Sequence, residues 1–381
     1  MKALLRRPSA YLGVPLLFAC AATLLTYDLP VDYLPGIGLL AFAAMGVMAC
    51  DGFAGPRLPA ESLDSRRDYT GTREGFVAIA FCVVIGLFCV ADLAFFPVPL
   101  WSDPSAYARM DGGREHIRHL SAWCWIFPPV GLLCVRRRWL RYGLVAAGIL
   151  FPIFVIDRNR IFASLFAMGL LLLMRRQRGR GLTWVTVAIL AVAGMVLFGA
   201  LGILRSGPLE GVTLHFGDVY RDAPPGIKWL LLYVSAGPYN FASILAKGYE
   251  NSDFLLNQIV PLRGSIATAG TSIPLDSPTI NVGTEFFPFL MALGPLGALG
   301  AIVALYALLA WSVRRVRASP SLFSLLIFLR MAYVAAMAPF APQAFTFMSA
   351  GFIGLCLAMQ LFAAWLPDRR ALFPLDETMS G

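Results

Sequence analysis

The sequence predicts an all-α, polytopic membrane protein. Of its 381 residues 58% are hydrophobic, the mean hydropathy is +0.71, and arginines gather in short clusters between long apolar runs. That composition lies outside the range of a water-soluble globule. In hydrocarbon a helix satisfies every backbone N–H and C=O within its own segment, so apolar runs of about 20 residues read as spans. Candidate runs cover approximately 11–27, 34–50, 75–96, 120–135, 142–156, 161–174, 182–204, 284–311, 320–338 and 343–366. About ten transmembrane helices are therefore expected, in a single membrane domain over residues 1–381.

The first run follows Lys2, Arg6 and Arg7 and resembles a secretory signal with Leu17-Phe18-Ala19-Cys20 at its end. It continues past Cys20 to Leu25, and further spans follow, so a retained first helix is expected. Arginine and lysine resist translocation and mark the cytoplasmic side. With the N-terminus inside, the basic residues of 1–7, 51–74, 136–141, 175–180, 314–317 and 369–370 all become cytoplasmic, 20 of the 31 in the chain. Both termini are then cytoplasmic, and the segments 97–119, 157–160 and 205–283 face outward. The net charge of +9 reflects this topology, and no soluble fold presents a basic patch to nucleic acid. Seven cysteines without CxxC spacing indicate neither a disulfide framework nor a zinc site. His116 and His119 can share a helical face but have no third ligand.

The loop 97–119 reads as a mixed-charge wet surface. The fifth and sixth runs are short: about 15 residues rise roughly 22 Å against a hydrocarbon core of about 30 Å, which recesses the Asp157-Arg158-Asn159-Arg160 turn between them. Counting Trp139 and Leu140 lengthens the fifth helix and weakens the recess. Charges at such depth mark a ligand site or an ion pair. The 79-residue outer segment 205–283 contains an apolar stretch, 227–245, interrupted by Ser235-Ala236-Gly237-Pro238-Tyr239-Asn240. It is expected to be a helix, turn and helix, re-entrant or lying in the outer interface, because a crossing here would force Arg314, Arg315 and Arg317 outside. The eighth run begins Thr284-Glu285-Phe286-Phe287 and passes through Gly294-Pro295-Leu296-Gly297, where a kink is expected. The ninth holds Arg330 near mid-membrane, too deep for easy snorkelling.

Arg158, Arg160, Arg205 and Arg330 outnumber Asp157 and Glu285 on the outer side, which suits an anionic ligand such as a lipid-linked phosphate or pyrophosphate. Other readings stay open at this point. Asp157 can neutralise its neighbouring arginines, and Arg330 can pair with Asp92 or Glu285. Glu285 can serve a helix N-terminus, and Trp229, Tyr233 and Tyr239 can be interface anchors.

From about Tyr142 onward the chain resembles the bacterial O-antigen and oligosaccharide repeat-unit polymerases of the Wzy type. The resemblance rests on the short hairpin with Asp157-Arg158-Asn159-Arg160 at its outer turn, on Tyr233-Val234-Ser235-Ala236-Gly237-Pro238-Tyr239-Asn240, and on Thr284-Glu285-Phe286-Phe287 leading into the Gly-rich helix. It implies a metal-independent glycosyltransferase of the membrane-embedded type C fold in the bacterial inner membrane, with no cofactor and an active site facing the periplasm. That enzyme would join undecaprenyl-pyrophosphate-linked glycan units into O-antigen, capsule or exopolysaccharide. A flippase and a chain-length regulator are the implied partners, beside the lipid bilayer. On this basis Arg158, Arg160, Arg330 and Arg205 are assigned to pyrophosphate, and Tyr233, Tyr239 and Asn240 to sugar. Glu285 is the first candidate for acceptor-side base or orienting group, followed by Asp157 and His215. An O-antigen ligase, using the same donor, is the nearest alternative, and a transporter the more distant one. The chain shows none of the paired inverted halves a transporter predicts.

Overall fold

The computed structural model describes residues 2–58, 68–103, 113–174, 214–260, 273–277, 280, 282–319 and 321–367. Among these the chain is helical, and the only β-type pairing is one antiparallel bridge between Tyr27 and Phe216. In chain order the principal helices are α1 (Pro8–Thr26), α2 (Leu34–Ala54), α3 (Arg73–Phe95), α4 (Arg114–Ser121), α5 (Phe127–Cys134), α6 (Arg138–Phe154), α7 (Arg158–Met174), α8 (Pro225–Lys247), α9 (Asp253–Ile259), α10 (Phe287–Ala318), α11 (Leu322–Met337) and α12 (Phe347–Trp365).

Five helical segments are long and apolar enough to cross a membrane: α1, α2 with its preceding 3-10 turn (Val31–Ala54), α3, α10 and α12. The fold is therefore that of a helical membrane protein, with five segments among the described residues meeting the length and hydropathy of a span. Helices α6 and α7 have 17 residues each, a rise of about 25 Å against a core of about 30 Å. α11 is apolar but has 16 residues. The predicted seventh span, 182–204, and Arg205 lie outside the described residues.

The chain divides into two compact units. One comprises Met1–Pro59, Leu182–Ala318 and Arg330–Gly351, and the other Ala60–Gly181, Ser319–Leu329 and Phe352–Gly381. The boundary falls within α11 and again within α12.

In the first unit α8 packs against α1 and α2 through backbone-close contacts. The Thr23 hydroxyl donates to the Ser235 carbonyl at 3.0 Å, and Gly36 lies so near Ala242 that a Cβ would stand 2.6 Å from its Cα. Small residues at such crossings let helix backbones approach where lipid supplies no hydrophobic drive. The expected break at Gly237-Pro238 does not form: α8 runs unbroken for 23 residues. Proline is tolerated in such a helix when neighbours take up the freed backbone groups, and here the segment Ser235 to Ile244 is buried on all sides. Gly237 serves packing, since a Cβ would meet the Pro339 carbonyl oxygen at 2.1 Å. α8 closes with Gly248 in the left-handed region, where the Gly248 N–H donates to Leu245 O and the Tyr249 N–H to Ile244 O.

The kink expected in the eighth run is present. It sits at Gly294, with φ 67° and ψ −165°, just before Pro295. Only glycine occupies that region without strain, and the proline restarts the helix from its first turn.

In the second unit α3 begins at Thr72, whose hydroxyl caps the Gly75 N–H at 3.0 Å. The Glu74 carboxylate in its first turn accepts from the Leu322 N–H at 2.6 Å and so secures the start of α11. Trp123 and Trp125 enclose Phe352 at ring separations of 5.9 and 5.2 Å. Gly148 of α6 meets Pro128 of α5, where a Cβ would lie 2.5 Å from the ring. The Ser164 hydroxyl of α7 donates to the Gly148 carbonyl at 2.8 Å.

Gly294→Ala should destabilise the protein by about 1–3 kcal/mol, because alanine cannot hold that backbone. Gly300→Ala, in regular helix with open space at its Cβ, should be neutral or stabilise by up to about 1 kcal/mol. Unfolding titrations of both variants in detergent check the pair.

Candidate functional site

Each unit carries one dense arrangement of charged side chains. The cluster of the second unit grows from Asp92, near the end of α3 and fully buried. A carboxylate there must be paired, and α4 supplies two partners one helical turn apart: Arg114 Nε at 2.8 Å on one oxygen and Arg118 Nε at 3.2 Å on the other. Arg114 also donates to the Pro97 carbonyl at 3.0 Å and lies over the Phe96 ring. The wet loop expected over 97–119 therefore contains, in its described part, an amphipathic helix whose two arginines are buried. The reason is Asp92, whose demand for counter-charge is invisible in the loop's own composition.

The hairpin turn sits against this pair. Asp157 caps α7 by accepting from the Arg160 N–H at 3.1 Å, and its other oxygen holds Arg160 Nε at 2.8 Å. Arg160 further donates to the Ser121 hydroxyl at 3.2 Å and to the Arg118 carbonyl at 3.3 Å. The turn is tight because α6 ends in a Schellman arrangement, with Ile156 N–H on Ile153 O and Asp157 N–H on Pro152 O. The left-handed position of that motif is Ile156, at φ 52°. For a β-branched residue this is strained by about 1–3 kcal/mol, and the fully buried side chain of Ile156 offsets the cost. Arg114, Arg118 and Arg160 thus belong to one neighbourhood with Asp92 and Asp157, and Arg158 stands in the same first turn of α7. Asp92, considered from sequence as a partner for Arg330, is bound by Arg114 and Arg118 of α4.

The first unit is built around Glu285, also fully buried. Its carboxylate accepts from three successive backbone amides ahead of α12, those of Gln343, Ala344 at 2.8 Å and Phe345 at 3.0 Å. Its own N–H donates to the Ala338 carbonyl at 2.7 Å. Successive N–H groups before a helix form an anion cradle, and here the chain fills it with its own carboxylate. Burial pushes the Glu285 carboxyl up to about 7, while the three amides and the charge of Arg330 pull it back. Half-buried Arg330 donates to the Ser349 hydroxyl at 3.0 Å, which in turn donates to the Gln343 carbonyl at 2.6 Å. Glu285 and Arg330 are thus brought together around the 338–346 connection. Both carboxylate oxygens of Glu285 accept backbone N–H groups of that connection and hold it in place.

Two sugar-contact candidates are likewise occupied. Asn240 is buried and donates to the Ile280 and Val282 carbonyls at 2.8 and 2.7 Å. Tyr239 is buried and donates to Asp276 at 2.8 Å. Tyr233 is half-buried and stacks on Phe340. His215 is exposed, and its backbone carbonyl accepts from the Asp28 N–H at 2.9 Å.

Asp276 was not singled out by its sequence context. It receives Tyr33 and Tyr239 hydroxyls on one oxygen, each at 2.8 Å, and Lys247 Nζ on the other at 2.5 Å. Burial alone would raise its carboxyl, but these donors and the lysine charge outweigh it and hold it below the ordinary carboxylate range. The one available sequence signal is Pro274-Leu275-Asp276, a turn-type run, and it says nothing of the partners.

Among the described residues no group of three or more His, Cys, Asp or Glu is placed to hold a metal ion. The His116 and His119 rings are 6.4 Å apart, and His119 faces Glu115 at 3.9 Å.

The fold and these two charge clusters define a helical membrane protein with arginine-rich polar sites. No family model, no curated protein and no solved structure matches the chain.

Asp92→Asn should cost about 3–5 kcal/mol, since it leaves two buried guanidiniums without counter-charge. The double variant Asp92→Asn/Arg118→Gln should recover part of that loss in the same thermal unfolding measurement. Glu285 gives a pH signature. Its folded pKa lies above its ordinary 4.5, so the folded state binds the extra proton. The associated stability is full below about 4.5 and lost as pH rises through about 7. Melting temperature should fall across that window in the native protein, and Glu285→Gln should flatten the profile.

Proposed function

We propose that this protein polymerises undecaprenyl-pyrophosphate-linked oligosaccharide units on the outer face of the bacterial inner membrane. The observation that carries the reading is the cluster of Arg114, Arg118 and Arg160 with Asp92 and Asp157, beside Arg158 at the turn of two 17-residue helices. Clustered guanidinium groups at the end of a short helical hairpin suit a phosphate group presented from a lipid carrier, because the planar fork grips phosphate oxygens in pairs and stays charged at any physiological pH. The resemblance to Wzy-type polymerases, carried by the same hairpin, supplies the substrate class.

In this reaction an acceptor sugar hydroxyl attacks the anomeric carbon of the donor glycan. The new glycosidic C–O bond forms as the bond from that carbon to the pyrophosphate oxygen breaks, and the electron pair leaves with the lipid pyrophosphate. Arg158 and Arg160 would take up the charge developing on that leaving group. Asp157 holds Arg160 in position through the 2.8 Å contact and is a positioning residue in this scheme. The hydroxyl proton passes to solvent water at the outer face.

A deletion strain should lose long glycan chains while keeping single capped repeats, and the native gene should restore them. Arg160→Ala should lower polymer yield at least about tenfold, the scale of one charged hydrogen bond to phosphate, whereas Arg160→Lys should restore only part of it. Gel profiles of the cell-surface glycan read both. Unaltered chains in the deletion strain would sink the proposal.

A further inference from the structure

The Lys247–Asp276 pair is one ion pair whose hydrogen-bonding capacity is not used up. An ionised carboxylate oxygen offers about two acceptor sites, and an ammonium three donors. Asp276 Oδ2 is filled by Tyr33 and Tyr239. Tyr33 has one hydroxyl hydrogen, which the carboxylate takes, so its contact with the Ser243 hydroxyl at 3.1 Å has serine as donor. Among the described residues Asp276 Oδ1 receives Lys247 alone, and Lys247 spends a second donor on the Pro274 carbonyl at 2.5 Å. One acceptor on Oδ1 and one donor on Nζ are left side by side. The two side chains are 22% and 33% exposed, so a ligand can reach both. Tyr33 and Tyr239 are buried, and their rings meet edge to face at 5.6 Å, which holds the carboxylate rigid.

From this geometry we infer that Lys247 and Asp276 form a binding subsite for a pair of adjacent sugar hydroxyls, one donating to Asp276 Oδ1 and its neighbour accepting from Lys247 Nζ. A vicinal diol offers one donor and one acceptor at the spacing of two adjacent ring carbons. A phosphate is excluded by the carboxylate, and a simple cation by the ammonium. The inference rests on the polymerase reading for the source of the sugar, and it adds a glycan contact that the sequence assigned to other residues. Asp276 here orients a hydroxyl; its depressed basicity suits an acceptor that stays ionised.

The test uses the purified full chain in lipid nanodiscs and two separate probes. One is the repeat-unit glycan released by mild acid from the host's lipid-linked pool, and the other is undecaprenyl pyrophosphate without sugar. The native protein should bind the glycan, and periodate treatment of the glycan, which cleaves vicinal diols, should abolish binding. Asp276→Asn and Lys247→Met should each weaken glycan binding at least about tenfold and leave undecaprenyl pyrophosphate binding unchanged. Tyr306→Phe, which removes a buried bond to Asp51 at 2.7 Å, should lower the melting temperature and bind the glycan normally, separating lost stability from a lost subsite. The subsite is overturned if periodate-treated glycan binds as well as untreated, or if both subsite variants bind like the native chain. Glycan binding that is periodate-sensitive, in a protein that ignores undecaprenyl pyrophosphate, would support the subsite and count against the polymerase reading.

Discussion

A carboxylate removed from water must draw its compensation from the chain around it, and that requirement organises both units. Asp92 and Glu285 are fully buried, and neither could be tolerated there alone. Asp92 draws in two guanidiniums and thereby fixes α4 against the end of α3. Glu285 draws in three backbone amides and thereby fixes the 338–346 connection beside the start of α10. Asp51, also buried, binds the Ser9 hydroxyl at 2.6 Å and the Tyr306 hydroxyl at 2.7 Å, tying α1, α2 and α10. Where hydrophobic burial discriminates poorly between helix pairings, as it does among apolar membrane helices, such paired polar groups specify which elements meet.

The two solutions differ in what they leave over. Around Glu285 the donors match the acceptor, and the result is a closed structural lock. Around Asp92 and Asp157 several guanidiniums share two carboxylates, and the strained Ile156 corner sets Arg158 and Arg160 at the first turn of α7. Clustered guanidiniums at a helix hairpin suit an anionic group, which is why the proposed phosphate contact lies at this turn and not beside Glu285. The Lys247–Asp276 pair is a third case, balanced in charge and unsaturated in hydrogen bonds, which favours a neutral hydroxylated ligand.

Part of this was legible in the residues. The Asp157-Arg158-Asn159-Arg160 turn stands out because four polar residues interrupt an apolar region, and the Gly294-Pro295 kink because glycine and proline punctuate backbone directly. Other features were hidden. Gly237-Pro238 carries the same punctuation yet lies in continuous helix, because α8 is buried from Ser235 to Ile244 and tertiary packing holds it. Asp276 lies in an unremarkable turn, and its three donors come from positions 33, 239 and 247, which no local pattern connects. The partners of Tyr239 and Asn240 were hidden for the same reason: they bond Asp276, Ile280 and Val282, which lie about 40 residues along the chain.

Composition and periodicity by themselves determined that this chain is helical and membrane-embedded, since hydrocarbon permits little else to an apolar backbone, and they located the charged hairpin turn. Only the tertiary structure decided which charges are spent and which remain. Hydrogen-bond saturation is a property of side chains brought together from distant positions, and the same Glu or Arg is a lock or a site according to how many partners the fold delivers to it.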